Sequence, residues 1–210
     1  GMLKTTNRHK KYWVKRKDID WKQAYFDTWT HPHRKLIIDK LRNVTFGSVL
    51  ELGCASGPNL YRIIQEFHTD QIRVGGIDIS PQAIEVAKKM LPPQSLLEVS
   101  DIEDFYFSEN SVDVILTDMA LIYVSPWKIK KVLKKIRQVA RKDVIFCEFH
   151  SESFFKRWGL ALASGYYAHN FKKRLRNMGF YDIIIDKIDE KDWPGGEPQK
   201  SFGYIIHAKV

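Results

Sequence analysis

Positions 49 to 60 read VLELGCASGPNL, and this stretch restricts the fold more than any other. Val49–Leu52 is an apolar, β-prone run. It enters a turn of small residues, Gly53, Ala55 and Gly57, which lets the backbone approach a ligand closely. Pro58 then opens a helix, because proline at the first helical position gives up an amide that had no partner there. A strand passing through such a turn into a helix is how parallel α/β sheets cradle a nucleotide-like ligand. A dinucleotide fingerprint, G-x-G-x-x-G, would place its last glycine at position 58, which is Pro58 here. Glu51 adds a second objection, since a carboxylate beside the turn repels a pyrophosphate. The expected ligand is nucleoside-like, without phosphate, and positively charged.

The rest of the chain sets that turn in a layered sheet. From Ser48 onward, segments of strand and helix periodicity alternate. Strands are predicted at Ser48–Leu52, Ile72–Ile79, Leu96–Val99, Val112–Thr117 and Val144–Phe149. Helices are predicted over Asn59–Phe67, after Ser80-Pro81, after Ser125-Pro126 as far as Ala140, and over Phe171–Met178, where Gly179 stops the last one. The aromatic stretch SFFKRWGLALASGYYAHN between them reads as irregular. Two closing strands, Tyr181–Ile188 and Phe202–Val210, flank the turn-rich DWPGGEP and predict an antiparallel hairpin. The expected fold is α/β: a Rossmann-like, doubly wound sheet of seven strands, mostly parallel, with an antiparallel C-terminal hairpin and an N-terminal helical cap. Residues 1–43 are expected to form a basic arm and helical cap or lid, and residues 44–210 the ligand-binding domain.

Acidic residues recur at the carboxyl ends of successive strands, where ligands sit in such sheets. Glu51 lies in the first. Asp78 closes the second in VGGIDIS, where a carboxylate can accept both hydroxyls of a ribose. Asp101, followed by Ile102, comes after the third in VSDIEDF, and Asp118 after the fourth in VDVILTDMALIY. Together these motifs resemble those of the class I S-adenosylmethionine-dependent methyltransferases over about 44–210. The resemblance implies S-adenosyl-L-methionine as cofactor, held by Glu51, Gly53, Cys54, Ala55, Gly57, Asn59, Asp78, Ile79, Asp101, Ile102 and Thr117. Two departures stand out. Ala55 replaces the family's usual middle glycine, and Tyr123 stands where many small-molecule members carry histidine.

The implied reaction is an in-line displacement in which a nucleophile takes the sulfonium methyl. The thioether leaves neutral, so positioning can supply most of the acceleration, and a base matters only for a hydroxyl or a protonated amine. Candidate catalytic residues are His150, Tyr123 and Asp118, with His31 and His33 in the upstream segment WTHPHRK. Aromatic residues before the sheet (Trp13, Trp21, Tyr25) and after its fifth strand (Phe154, Phe155, Trp158, Tyr166) are candidate lid and acceptor-pocket residues. No metal site is expected, because Cys54 and Cys147 lack a partner spacing.

The net charge is +9 over 210 residues, and much of the excess lies before position 23, including Lys4, Arg8, Lys10, Lys11, Lys15 and Arg16. That arm raises a competing reading, an RNA methyltransferase, and a non-catalytic S-adenosylmethionine-binding regulator is a third. Against RNA, the fourth strand lacks the N/D-P-P-Y/F motif of base-amino methylases. The favoured acceptor is a small molecule or glycan precursor, methylated at oxygen. No apolar run reaches the roughly 18 residues a membrane helix needs, and the basic N-terminus lacks a signal-peptide core, so a cytoplasmic protein is expected. Calorimetry should show binding of S-adenosylhomocysteine and none of NAD; the reverse pattern would overturn the reading of the Gly53–Pro58 turn.

Overall fold

Strand β1 (Ser48–Leu52) is buried at every position, as a strand covered on both faces must be. In the computed structural model, which describes residues 10–16, 18–68, 70–193 and 195–210, β1 pairs in parallel with β2 (Arg73–Asp78) on one side and β4 (Val112–Asp118) on the other. The sheet continues outward through β3 (Leu96–Val99) at one edge and through β5 (Ala140–Phe149), β7 (Gly203–Lys209) and β6 (Tyr181–Lys187) at the other. The full order is β3-β2-β1-β4-β5-β7-β6. Only β7 runs against its neighbours, pairing antiparallel with both β5 and β6. The direction of winding therefore reverses between β1 and β4, and the crevice at their carboxyl ends is the expected ligand position.

Helices cover both faces. On one, α3 (Pro32–Leu41), α4 (Pro58–Phe67) and α5 (Pro81–Met90) bring Ile37, Leu41, Leu60, Ile63 and Ile84 against Val49, Val114, Leu116 and Ile145. On the other, α6 (Ile129–Val139) and α8 (Phe171–Asn177) set Val132, Leu133, Ile136, Phe171 and Leu175 against Leu50, Ile115, Phe146 and Ile206. The lysines interleaved in α6 fall on its outer side: Lys130, Lys131, Lys134 and Lys135 are exposed or half-buried. Ahead of the sheet lie a helix whose described part is 10–15 (α1), the short α2 (Trp21–Ala24), a 3₁₀ turn (Phe26–Thr30) and α3.

Two local expectations are corrected. The segment after β5 is not irregular: α7 spans Phe154–Ser164, with the Ser153 side chain accepting from Lys156 N at its start and Gly165 in the left-handed region at its end. Only Leu160 of this helix is buried, so the core-facing stripe that reveals a helix in a sequence is missing. The Ser-Pro pairs also differ. Ser80 caps α5 through its Oγ, which accepts from Ala83 N at 3.2 Å. At Ser125 the carbonyl oxygen accepts instead, from Lys128 N and Ile129 N, which makes a turn ahead of α6.

The turn after β1 is held open by unusual backbone angles. Gly53, Ala55 and Gly57 all have positive φ, +76°, +50° and +88°. A Cβ at Gly53 would lie 2.7 Å from that of Ala120, and one at Gly57 would lie 2.8 Å from Cδ1 of Leu91. Gly57→Ala should therefore cost about 1–2 kcal/mol from the left-handed backbone alone, read as a lowered urea midpoint; an unchanged midpoint would show that the turn relaxes freely.

Candidate active site

The switch point opens into a cavity of about 420 Å³, within the usual range for small-ligand sites. Its floor is the turn after β1, Gly53 to Ala55 with Pro58 and Asn59, and its sides carry Asp78, Ile79, Asp101 and Ile102 from the ends of β2 and β3. Asp78 tightens the cradle: Oδ1 accepts from Ala55 N and Oδ2 from Ser80 N, both at 3.0 Å. Burial lifts its carboxyl above the ordinary range, although those two amides pull the other way.

A buried polar knot lies at the centre. Asp118 Oδ2, at the end of β4, accepts from His33 Nε2 at 2.9 Å, Asn59 Nδ2 at 3.0 Å and Arg34 Nη1 at 3.3 Å. Asn59 Nδ2 also reaches Glu51 Oε2 at 2.8 Å, while its Oδ1 accepts from Arg34 Nη1 at 2.9 Å. Burial alone would raise the Asp118 carboxyl, but His33 and Arg34 hold it well below the usual carboxylate range. Glu51 goes the other way. Burial, reinforced by the negative charge of Asp118, pushes it up to about 8. Its Oε1 is buried with no hydrogen-bond partner.

That orphaned oxygen tests whether the site suits S-adenosylmethionine. An acceptor oxygen on the cavity wall without a donor matches a ligand bearing an ammonium group, and a wall carrying Glu51, Asp78, Asp101 and Asp118 matches a cation and opposes a pyrophosphate. The lining fits such a ligand: Glu51 would meet the amino acid tail, Asp78 the ribose hydroxyls, and Asp101 with Ile102 the adenine side.

The N-terminal segment closes the opposite wall. Lys10 Nζ lies 2.7 Å from both Asp101 Oδ2 and Glu103 Oε2. Trp13 packs edge-on against Tyr123 and Tyr25 and tilted against Trp21. From the far end of the sheet, Trp193 stacks on His33 with ring centroids 5.6 Å apart and planes at 17°. Phe149 and Tyr166 complete an aromatic half of the cavity.

Most residues singled out in the sequence meet here. Glu51, Gly53, Cys54, Ala55, Asn59, Asp78, Ile79, Asp101, Ile102, Asp118 and Tyr123 all line the cavity. Gly57 and Thr117 lie outside its wall; Gly57 shapes the turn, and Thr117 is fully buried within β4. His150 is also outside. It is buried, its Nδ1 accepts from Phe171 N at 3.1 Å, and burial lowers its pKa, so it serves the start of α8. Tyr123 lines the cavity, but burial first and Tyr166 second hold its phenol above its ordinary pKa, which leaves it protonated at neutral pH. Phe154, Phe155 and Trp158 face solvent and not the pocket. Lys4 and Arg8 lie outside the described residues.

The sequence reading missed Arg34, Trp193 and Glu148. Arg34 sits beside the two flagged histidines, and only its contacts reveal its place. Glu148, inside the apolar β5, accepts from Leu121 N at 2.9 Å, Ala120 N at 3.1 Å and Ile122 N at 3.3 Å. It thereby fixes the turn (Leu121–Tyr123) that carries Ile122 and Tyr123 into the cavity.

Residues 49–143 match the Methyltransf_25 family, a methyltransferase domain. Among solved structures, an S-adenosylmethionine-dependent methyltransferase of the DUF858 family from Leishmania major matches with a TM-score of 0.70 and 13% identity, over 98% of this chain and 83% of that one. Magnesium protoporphyrin IX methyltransferase from Synechocystis PCC 6803, with bound S-adenosylhomocysteine, gives 0.66 and 14% over 98% and 99%. The plantazolicin methyltransferase BpumL, bound to the same product, gives 0.63 and 12% over 99% and 98%. No curated protein matches the sequence. The match over 49–143, the sheet order and the cradle together mark a methyltransferase domain with the class I S-adenosylmethionine-dependent fold. It is an enzyme, and S-adenosylmethionine is its cofactor.

The raised Glu51 pKa has a measurable consequence. Between the unfolded value near 4.5 and about 8, the folded protein holds a proton that the unfolded chain has lost, so the stability of the cofactor-free protein falls as pH rises through that window. Glu148, also near 8, adds to the same slope. Urea unfolding of Glu51→Gln from pH 5 to 8 should show a shallower decline than the wild type; parallel curves would mean that Glu51 is not protonated in the fold.

Proposed function

We propose that the enzyme methylates a hydroxyl oxygen on a small molecule with an apolar, flat body. The observation that supports this most directly is His33, which lies on the cavity wall, stacked on Trp193 and bonded to Asp118. When bound, S-adenosylmethionine supplies a sulfonium methyl whose thioether leaves neutral; what this chain must add is orientation and a place for the acceptor's proton.

With Nε2 facing the ionised Asp118, the His33 nitrogen left over is Nδ1. It lies 2.8 Å from Nδ1 of His31, whose own pKa is lowered by burial and by the neighbouring His33 and Arg34. On docking, the acceptor hydroxyl would take the place of His31 at His33 Nδ1 and give up its proton there, while Asp118 stabilises the imidazolium that forms. Trp13, Tyr25, Tyr123, Tyr166, Phe149 and Trp193 would clamp the acceptor body by offset and edge contacts. The cations at the site, Lys10 and Arg34, are already paired, which favours an uncharged acceptor over a phosphate-bearing glycan precursor. The basic residues of α6 lie on its outer side, so an RNA acceptor has less support. In this reading residues 1–43 act as the cap over a catalytic unit of 44–210.

The test is transfer of labelled methyl from S-adenosylmethionine to a panel of hydroxylated aromatic and apolar compounds, with sugar nucleotides and RNA as comparison arms. On the acceptor found, His33→Gln, whose amide nitrogen can keep the Nε2 donor to Asp118, should lower kcat by about 10²–10⁴ and leave the Kd for S-adenosylhomocysteine within about twofold. Tyr123→Phe should retain most of kcat. If His33→Gln keeps full kcat, or RNA is the arm that takes label, the reading fails.

A further inference from the structure

Helix α7 presents its apolar side to solvent. Phe155 is 84% exposed, Leu162 69%, Phe154 58% and Trp158 47%. At 100° per residue these four fall within an arc of about 100°, while Leu160 on the inner side is the helix's single buried residue. A solvated face of this kind needs an explanation, because contiguous apolar patches on soluble proteins mark contact surfaces.

The surroundings are cationic. Arg157 lies over the Phe154 ring at 6.0 Å, and Arg174 is close enough that the charge of Arg157 depresses its pKa, after burial has done most of the lowering. Lys156 and Lys173 are exposed, and the nearby acid, Glu152, is engaged by Lys172 at 3.6 Å. The whole chain carries +9.

We propose that α7 is a docking face for an anionic membrane surface, lying in the headgroup layer with Phe154, Phe155, Trp158 and Leu162 inserted and the arginines and lysines against lipid phosphates. An apolar stripe of Phe, Trp and Leu bordered by basic residues is the pattern of interfacial helices, and the cytoplasmic leaflet supplies the opposite charge. Among the described residues no helix is long and apolar enough to cross a membrane, so the contact is peripheral. A second copy of the chain is disfavoured, since a symmetric contact would press one cationic patch on another. Single-stranded nucleic acid fits less well. The rings of Phe154 and Phe155 meet edge to face at 5.7 Å, and Phe154 and Trp158 are tilted at 40° with centroids 5.8 Å apart, so the three rings do not form a parallel series for successive bases, and Leu162 has no π face to offer a base. The helix ends at Gly165, next to the cavity residue Tyr166, so docking would set the cavity mouth near the bilayer. This inference does not depend on which acceptor is methylated.

The experiment is vesicle co-sedimentation of the full chain with phosphatidylcholine alone and with phosphatidylcholine containing phosphatidylglycerol, beside F155S/L162S and K156E/K173E variants. Calorimetry with S-adenosylhomocysteine checks that each variant is folded, since none of these residues belongs to the cavity. The wild type should bind the anionic vesicles, less at high salt. Loss of the two apolar side chains should weaken partitioning by about tenfold or more, and charge reversal should do so in proportion to lipid charge. No binding to anionic vesicles would overturn the proposal. So would a dimer by sedimentation, or single-stranded RNA binding, that F155S/L162S abolishes while vesicle binding is unaffected.

Discussion

Asp118 is the charge around which the site is assembled. A carboxylate buried at the end of a central strand is costly unless its lone pairs are met, and this one is met by three groups from two helices: His33 and Arg34 of α3 and Asn59 of α4. The need to satisfy it fixes where α3 docks, and with α3 comes the wall of the cavity. Removing one partner of such a buried pair typically costs about 3–5 kcal/mol, so the knot is structural before it is chemical. It also divides two neighbouring acids into different states. Asp118 stays ionised because Arg34 and the donors of His33 and Asn59 surround it, and that charge, together with burial, lets Glu51 keep its proton.

This division bears on how the cofactor is received. A cavity walled by five acids, Glu51, Asp78, Asp101, Glu103 and Asp118, would carry strong mutual repulsion if all were charged at once. Protonation of Glu51 relieves the repulsion in the cofactor-free protein, and a ligand with an ammonium group replaces that proton with its own positive charge. The preference for a cationic, phosphate-free ligand is thus a property of the electrostatics and needs no particular contact to the thioether or the methyl.

A second buried carboxyl group works without a cation. Glu148 accepts three backbone amides at the end of β4, which sets the turn carrying Ile122 and Tyr123 against the cavity. Around that polar frame the aromatic rings of α1, α2, β5, the segment after α7 and the segment before β7 converge from widely separated parts of the chain. The aromatic half of the cavity is therefore a product of the N-terminal segment and the C-terminal hairpin, while the acidic half belongs to the strand ends.

That difference explains what could be read from the chain. The alternation of strands and helices, the small-residue turn and the acids at strand ends are local patterns, and local backbone sterics and solvent partitioning are enough to impose them; β1, β3 and the cradle stand where the sequence placed them. Asp78 and Asp101 were legible for the same reason, as each follows directly from its strand. Arg34, Trp193 and Glu148 were not, because an arginine, a tryptophan and a glutamate acquire these roles from partners 25 to 160 positions away in the sequence, and no periodicity records such distances. His150 misled for the converse reason: the end of a strand looks like a site, but the packing of α8 against it turned the imidazole into a cap. Helix α7 escaped notice because its apolar stripe faces outward. The chain by itself determined the sheet and the kind of cofactor; the docking of remote elements onto buried charges decided the aromatic wall of the cavity, the protonation states and which apolar face is left exposed.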